Sequence, residues 1–393
     1  MPMALTKPVF LAGLFLSAIA GIAWLAMDTV SDPTISFSDL DGWADDDHGK
    51  ALAVFQRSCA WLFRRADAGD TKALETPYLA VCREAINLPV DAPHQAREFF
   101  ERRFEPYRPG ADDDPSNGFV TGYYEPEVDG SLVKTEVFSA PLYRRPADLI
   151  KIDDTNRPAD LSDDIQFARQ NPDSSIVAHP DRAAIEAGAL SGQGLELVWL
   201  RDPVDAFFIH VQGSARIRLS DGTAMRVGFD GKSGHPYTAI GKVLVNQGEL
   251  TLEQANMQGL RKWLAANPDQ RDEVLQQNRS FIFFRRRDAD HPDDGPIGAG
   301  GVPLTAGRSL AIDRTLYPLL MPVWISGLFP ADNGGTEPFR RLMIGQDTGS
   351  AIVGPARGDI FYGSGREAGQ YAGNIRHKVD FVVLRPIEAD HGR

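Results

Sequence analysis

The sequence predicts a mainly β fold with peripheral helices, of the α+β class. Three observations predict it. From 118 to about 250, short apolar or alternating runs are punctuated by Gly, Pro and Asp, without the strand-and-helix alternation of a doubly wound sheet. Helical periodicity gathers upstream of that stretch, near 49–67, 72–87 and 92–104. A second β-rich unit follows a Pro/Asp/Gly-rich break at 288–300. A chain of 393 residues has room for two domains and a sizeable core.

Val9 to Met27 is a run of 19 residues without a charge, with Lys7 before it and Asp28 after it. That length spans a bilayer, and the basic flank on the N-terminal side sends the rest of the chain outward. A retained anchor over residues 1–28 is the expectation. Cleavage as a signal peptide at Ala18, Ala20, Ala23 or Ala26 is the competing reading. With no Cys near this run, lipid attachment is not expected. Residues 29–48 read as a polar linker ending in the solvated run Asp45, Asp46 and Asp47.

In the first helical stretch Phe55, Cys59, Leu62 and Phe63 share one face, which is core. Cys59 and Cys82 both fall in helical segments, and an exported chain meets oxidising conditions. A structural disulfide between them is expected, with free buried thiols as the alternative. The acidic run Asp112 to Asp114, with Pro115 and Gly118, marks a break. Gly118 to Tyr124 is the first strand signal. Glu196–Leu200, Ala206–Gln212, Ala215–Leu219 and Ala224–Phe229 continue the β pattern, with Asp221-Gly222 as a hairpin turn. Helical signals return at Tyr237–Gly248 and after Thr251, which forms a capping box with Gln254.

A formal charge of -13 argues against nucleic acid or an anionic membrane surface as a partner. The eight His show no two-His spacing near a Cys or carboxylate cluster, so no metal and no cofactor is indicated. The chemistry lies in Gly295 to Pro386. There Leu-Ala-Ile-Asp313-Arg-Thr, Ile-Gly-Gln-Asp347-Thr-Gly-Ser and Arg-Gly-Asp359-Ile-Phe-Tyr each set one aspartate among glycines and apolar residues. An aspartate in such a run is at least partly buried, and lost hydration raises its pKa toward that of a general acid. Gly349, Gly354, Gly358, Gly363 and Gly365 match neither a P-loop nor a dinucleotide fingerprint; tight turns beside a sugar suit them better.

Phe119 to Pro126, Phe208 to Ser214, Gly234 to Lys242, Asn278 to Phe284 and the three aspartate segments occur in a fixed order that resembles the membrane-bound lytic murein transglycosylase A (MltA) family. The resemblance covers roughly 50 to 386, and its C-terminal part is similar to the three-aspartate (3D) domain. It implies a double-psi β-barrel assembled from an N-terminal helical part, 49–117, and the C-terminal part, 295–386. A second β-barrel domain, 118–285, is inserted between them, with a glycan groove where the two meet.

The activity so implied is cleavage of the β-1,4 bond between N-acetylmuramic acid and N-acetylglucosamine without water, leaving 1,6-anhydromuramic ends. One carboxyl acts first as acid and then as base, and by motif position it is Asp359. Asp347 is expected to support it, an Asx turn being the plainer reading. Asp313 supports the barrel or pairs with Arg314. Thr121, Tyr123, Gln212, Gly213 and Ser214 are expected to line the groove, and His235 to be structural. The best-known members are outer-membrane lipoproteins, which this chain is not expected to be.

The reading is therefore a metal-independent murein lytic transglycosylase in the periplasm. Its partners are peptidoglycan glycan strands and, through residues 9–27, the inner membrane; partners in a wall-synthesis complex stay open. An inverting β-glycan hydrolase using Asp359 and Asp347, and a non-catalytic wall-binding protein, are the alternatives.

Overall fold

A computed structural model describes residues 35–110, 116, 118–287, 294–331 and 334–387. The expected anchor over residues 9–27 and the acidic run at 112–114 lie outside the described residues. Among the described residues no helix is long and apolar enough to cross a membrane.

Helices open the chain: α1 (His48–Asp67), α2 (Thr71–Glu75), α3 (Tyr78–Ala85) and α4 (Pro93–Arg103). They lead into β1 (Phe104–Tyr107) and β2 (Gly118–Glu125). The middle of the chain holds β3 (Glu127–Ser131), β4 (Ala140–Tyr143), β5 (Leu149–Lys151), β6 (Phe167–Gln170), β7 (Ile176–Val177) and the single turn α5 (Arg182–Ala184). Then come β8 (Glu196–Leu200), α6 (Pro203–Gln212), β9 (Ser214–Leu219), β10 (Ala224–Lys232), α7 (Ile240–Asn246), α8 (Met257–Ala266), α9 (Pro268–Gln276) and β11 (Ile282–Arg287). The C-terminal part supplies β12 (Ser309–Ile312), β13 (Pro322–Pro330), β14 (Thr336–Asp347), β15 (Arg357–Ser364), α10 (Gly365–Ala372) and β16 (Arg376–Pro386).

The sheet that carries the aspartates closes on itself. Its order runs β16, β13, β14, β12, β15, β2, and β2 pairs back onto β16 through Thr121 and Arg376. Two of the pairings, β12 with β14 and β15 with β2, are parallel. Inside the ring, Val120, Leu310, Ile312, Ile360 and Phe381 form part of the largest core. Gly358 stands where a Cβ would meet Leu310 at 2.9 Å and Phe381 at 3.1 Å, so only glycine lets β15 sit this close to its neighbours. Because strand side chains alternate, Gly358 and Ile360 face that core while Asp359 faces away from it.

The helical part packs against the ring. Phe55 on α1, Phe99 and Phe100 on α4 and Phe104 at the start of β1 are fully buried, with ring centroids 5.2–6.2 Å apart. Truncating any one of them to Ala would cost about 3–5 kcal/mol. Cys59 on α1 and Cys82 on α3 are bonded to each other, with 5.2 Å between their Cα atoms.

The middle of the chain makes its own six-stranded sheet, ordered β11, β10, β9, β3, β8, β4, over a core that includes Leu142, Val198, Ile217, Val227 and Phe284. A bridge between Arg144 and Phe284 brings its two edges together. The chain passes from one sheet to the other after Glu125 and returns after Arg287.

Four expectations are corrected. Residues 35–47 are packed rather than a solvated tether: Trp43 is buried edge-on against Trp324, 5.2 Å between ring centroids. Asp46 takes both Arg308 guanidinium nitrogens at 2.7 Å, because the buried cation requires a counter-charge. Ala206–Gln212 lies in α6, not a strand. Asp202 caps α6 by accepting from Val204 N–H at 2.8 Å, Pro203 occupies its first turn and left-handed Gly213 ends it. The expected 72–87 helix is two helices separated at Thr76-Pro77. Thr251 and Gln254 do exchange capping-box hydrogen bonds, at 3.0 and 3.2 Å, but the helix itself starts at Met257 under an Asn256 cap.

Candidate active site

Two of the three aspartates share one row across the barrel. Ala311 on β12 is in register with Asp347 on β14 to one side and with Asp359 on β15 to the other. Asp359 is in turn opposite Thr121 on β2. Strands lie about 4.8 Å apart, so the aspartate backbones are separated by roughly 10 Å with only a methyl side chain between them.

Thr121 Oγ1 donates to Asp359 Oδ1 at 2.6 Å, and the same oxygen accepts from Arg357 Nη2 at 2.8 Å. The guanidinium thereby occupies a lone pair of Thr121 and directs its only proton to Asp359. Among the described residues, Oδ2 of Asp359 has no hydrogen-bond partner. Asp359 keeps some accessible surface, yet burial raises its pKa from the ordinary 3.8 to about 6. The Thr121 hydrogen bond and the Arg357 charge act downward, and the Asp347 charge acts upward.

Asp347 is engaged on both oxygens. Oδ1 accepts from Ala299 N–H and Thr348 N–H, each at 2.9 Å, and Oδ2 accepts from the Tyr123 hydroxyl at 2.9 Å. Burial raises its pKa too, against these three donors. The Tyr123 ring is seated on Phe361, 5.3 Å between centroids, in a small apolar cluster with Leu304, Ala311 and Ile352. Behind Asp347, buried Gln346 donates to Ser58 Oγ at 2.7 Å and accepts from Ser309 Oγ at 2.5 Å, tying this end of β14 to α1.

Asp313 is elsewhere and differently held. Its Oδ1 accepts from Thr315 N–H and hydroxyl at 3.0 and 2.6 Å, and its Oδ2 from Gly354 N–H at 2.8 Å. Burial acts to raise its pKa, but the Thr315 and Gly354 donors outweigh burial and leave it below the ordinary value. The expected pairing with Arg314 is replaced by these donors, which close the turn after β12.

Gln212 ends α6 with its Oε1 accepting from Tyr124 N–H at 3.0 Å, so it is held against β2 three residues beyond Thr121. Gly213 is the left-handed cap of α6, with open space where a Cβ would be, and Ser214 is buried at the start of β9. None of the three bonds Asp359 directly. His235 is buried and donates from Nε2 to His179 C=O at 2.6 Å.

Residues not singled out by the sequence also enter the site. Arg357, two positions before Asp359, is one. Tyr237, inside the Gly234–Lys242 segment, has its hydroxyl pKa raised by burial and by the Asp359 charge, while Arg182 opposes the rise. Lys232 on β10 donates to Ser350 Oγ at 3.3 Å, linking the inserted sheet to the loop after Asp347. Glu125 is fully buried where the chain crosses between sheets, 2.9 Å from Arg226 Nε and 2.6 Å from the Ser364 hydroxyl.

Residues 119–285 match the MltA specific insert domain, and residues 308–385 match the 3D domain. The membrane-bound lytic murein transglycosylase A of Escherichia coli strain K12 is 34% identical over 280 residues, which are 70% of this chain and 67% of that protein. The chain belongs to the MltA family. The Vibrio cholerae relative of the same description is 31% identical over 68% of this chain and 65% of its own length. In structure, the chain is similar to the membrane-bound lytic murein transglycosylase of Agrobacterium tumefaciens, with a TM-score of 0.79 and 41% identity over 90% of this chain and 97% of that one. It is also similar to E. coli MltA with bound chitohexaose, with a TM-score of 0.62 and 27% identity over 91% and 93%. In this MltA-family chain both matched regions meet at the site: Thr121 and Tyr123 come from the insert match, Asp347 and Asp359 from the 3D match.

Proposed function

We propose that this chain is a peptidoglycan lytic transglycosylase that cleaves the β-1,4 bond between N-acetylmuramic acid and N-acetylglucosamine, with Asp359 as its single acid and base. The observation that carries the reading is the asymmetric Asp359 carboxyl. One oxygen is fixed by Thr121, the other has no protein partner among the described residues, and its pKa near 6 keeps a proton available close to neutrality.

In this mechanism Asp359 Oδ2–H protonates the glycosidic oxygen. The bond from that oxygen to C1 of the muramic residue breaks, and its electron pair leaves with the N-acetylglucosamine hydroxyl. Positive charge then grows at C1, beside the new Asp359 carboxylate, and the Thr121 hydrogen bond strengthens on that charged form. The carboxylate removes the proton from the C6 hydroxyl of the same sugar, and O6 bonds to C1. The 1,6-anhydro ring is closed, no water is consumed and Asp359 is protonated again.

Asp347 supports this cycle by its negative charge, which favours protonated Asp359. Its own oxygens are taken by three donors, which counts against a second role as base for a water. The relative crystallised with chitohexaose supports a chain of β-linked N-acetylhexosamines as ligand. We place the chain in the periplasm, held at the inner membrane by Val9 to Met27. The deciding experiment is mass spectrometry of products released from purified sacculi: anhydro ends are expected, while reducing ends indicate a hydrolase and no release indicates a wall-binding protein.

A further inference from the structure

Beyond the acid site, a cleft of about 1020 Å3 opens where β15 ends, between α1, the segment 294–306 and β9. Its cationic wall is built by Arg57 and Arg64 on α1 and Arg216 on β9. Arg57, Ala60 and Arg64 recur at helical spacing on one face, so the small Ala60 leaves room between two guanidinium groups. Arg57 lies 3.6 Å from Asp294, the one carboxylate in the lining among the described residues, and 3.4 Å from Thr305 Oγ1. Arg216 reaches toward buried Glu125 at 3.9 Å. Exposed Arg64 has no ion-pair partner among the described residues. Among the described residues the lining carries three arginines and one carboxylate, a local excess of positive charge in a chain of net charge -13.

Distance ties the cleft to the acid. Thr121 is opposite Asp359, and Glu125 is opposite Ser364, which lines the cleft. Four residues of strand separate them, about 13 Å. An extended peptide of four residues spans about the same length. We propose that this cleft binds the carboxylates of a peptide stem carried by a glycan strand seated at Asp359. The inference rests on the peptidoglycan reading above. Arginine forks pair with carboxylates in a bidentate way that a neutral amide cannot match.

Calorimetric titration of the folded protein with a free stem tetrapeptide tests this without turnover. Wild-type protein and Asp359→Asn should bind it equally, Arg64→Ala about tenfold more weakly and Arg64→Glu not measurably; the fully amidated peptide should bind no variant. Arg57→Ala, checked with Arg64→Ala for unchanged melting, should weaken binding in the same direction. No binding by wild type, equal binding by Arg64→Glu, or equal binding of the amidated peptide overturns the proposal. Failure of the activity reading is distinguishable, because it shows as absent cleavage of sacculi whatever the tetrapeptide does.

Discussion

Asp347 and Asp359 face the same side of the barrel in a single register row, with Ala311 alone between them. Their surroundings make them unequal. Asp347 accepts from two backbone amides and a tyrosine, which spends its oxygens on the protein. Asp359 accepts one hydroxyl, itself aligned by Arg357, and leaves an oxygen for a ligand. Ala311 itself is buried among Tyr123, Leu304, Ile352 and Phe361.

This inequality predicts unequal mutants. Asp359→Asn should abolish release of anhydromuropeptides while glycan binding persists, because an amide neither gives the proton nor takes it back. Asp347→Asn should retain turnover reduced by about 10–100-fold, the range of a lost supporting charge of roughly 1.5–3 kcal/mol. Product release per hour, with glycan affinity measured alongside, checks both. If Asp347→Asn were dead and Asp359→Asn active, the assignment would move to Asp347.

Asp313 should behave as a structural residue. Its three donors close the turn after β12 and reach Gly354 on the approach to β15. Asp313→Asn weakens charge-assisted hydrogen bonds, at a cost of about 1–3 kcal/mol in unfolding free energy. Urea unfolding should record that loss while kcat of the folded fraction stays within about threefold of wild type. A kcat loss as deep as that of Asp359→Asn at unchanged stability would contradict it.

The Cys59–Cys82 bond closes a loop over 23 positions and joins α1 to α3. Replacing both cysteines by Ala should lower stability by about 3 kcal/mol, mostly through a less restricted unfolded chain. Because Ser58 beside Cys59 holds Gln346, one residue from Asp347, turnover should also become more temperature-sensitive. Melting and activity against temperature, for the oxidised protein and the double variant, measure both effects; coincident melting curves would refute the structural role.

Local signals explain what the sequence made legible. The aspartate segments were readable because Asp is rare amid Ile, Leu and Gly. The strands Glu196–Leu200 and Gly118–Glu125 were readable because their alternation and punctuation are local. Ala206–Gln212 was not, since a short apolar run fits a buried helix as well as a strand, and only the Asp202-Pro203 start and the Gly213 stop decide it. Thr121 and Asp359 could be assigned to one groove, but not the hydrogen bonds that join them to Arg357: Thr121 is 238 residues from Asp359, and the parallel pairing of β2 with β15 sets them side by side. The packing of Trp43 and Asp46 against the barrel was hidden for the same reason, their partners Trp324 and Arg308 being distant in sequence.

The pH behaviour follows from the same row. Burial raises the Asp359 pKa from 3.8 to about 6, so the folded state binds this proton more tightly than the unfolded chain. Its contribution to stability is therefore full below the ordinary value and is lost as pH rises through about 6. Asp313, held below the ordinary value, has the opposite sign: its contribution is present above that value and is lost on acidification. Asp359→Asn should thus flatten the fall in stability between the ordinary value, 3.8, and about 6, and leave the protein more stable than wild type at neutral pH. Activity should track the protonated fraction, with kcat/KM falling about tenfold per pH unit above the Asp359 pKa. Because the Arg357 charge lowers that pKa, Arg357→Met should carry the alkaline limb to higher pH while lowering kcat through the loosened Thr121. Rate profiles from about pH 4 to about pH 9 decide it. A wild-type profile flat across neutrality, or a limb that moves to lower pH in Arg357→Met, would sink the assignment of Asp359 as the acid.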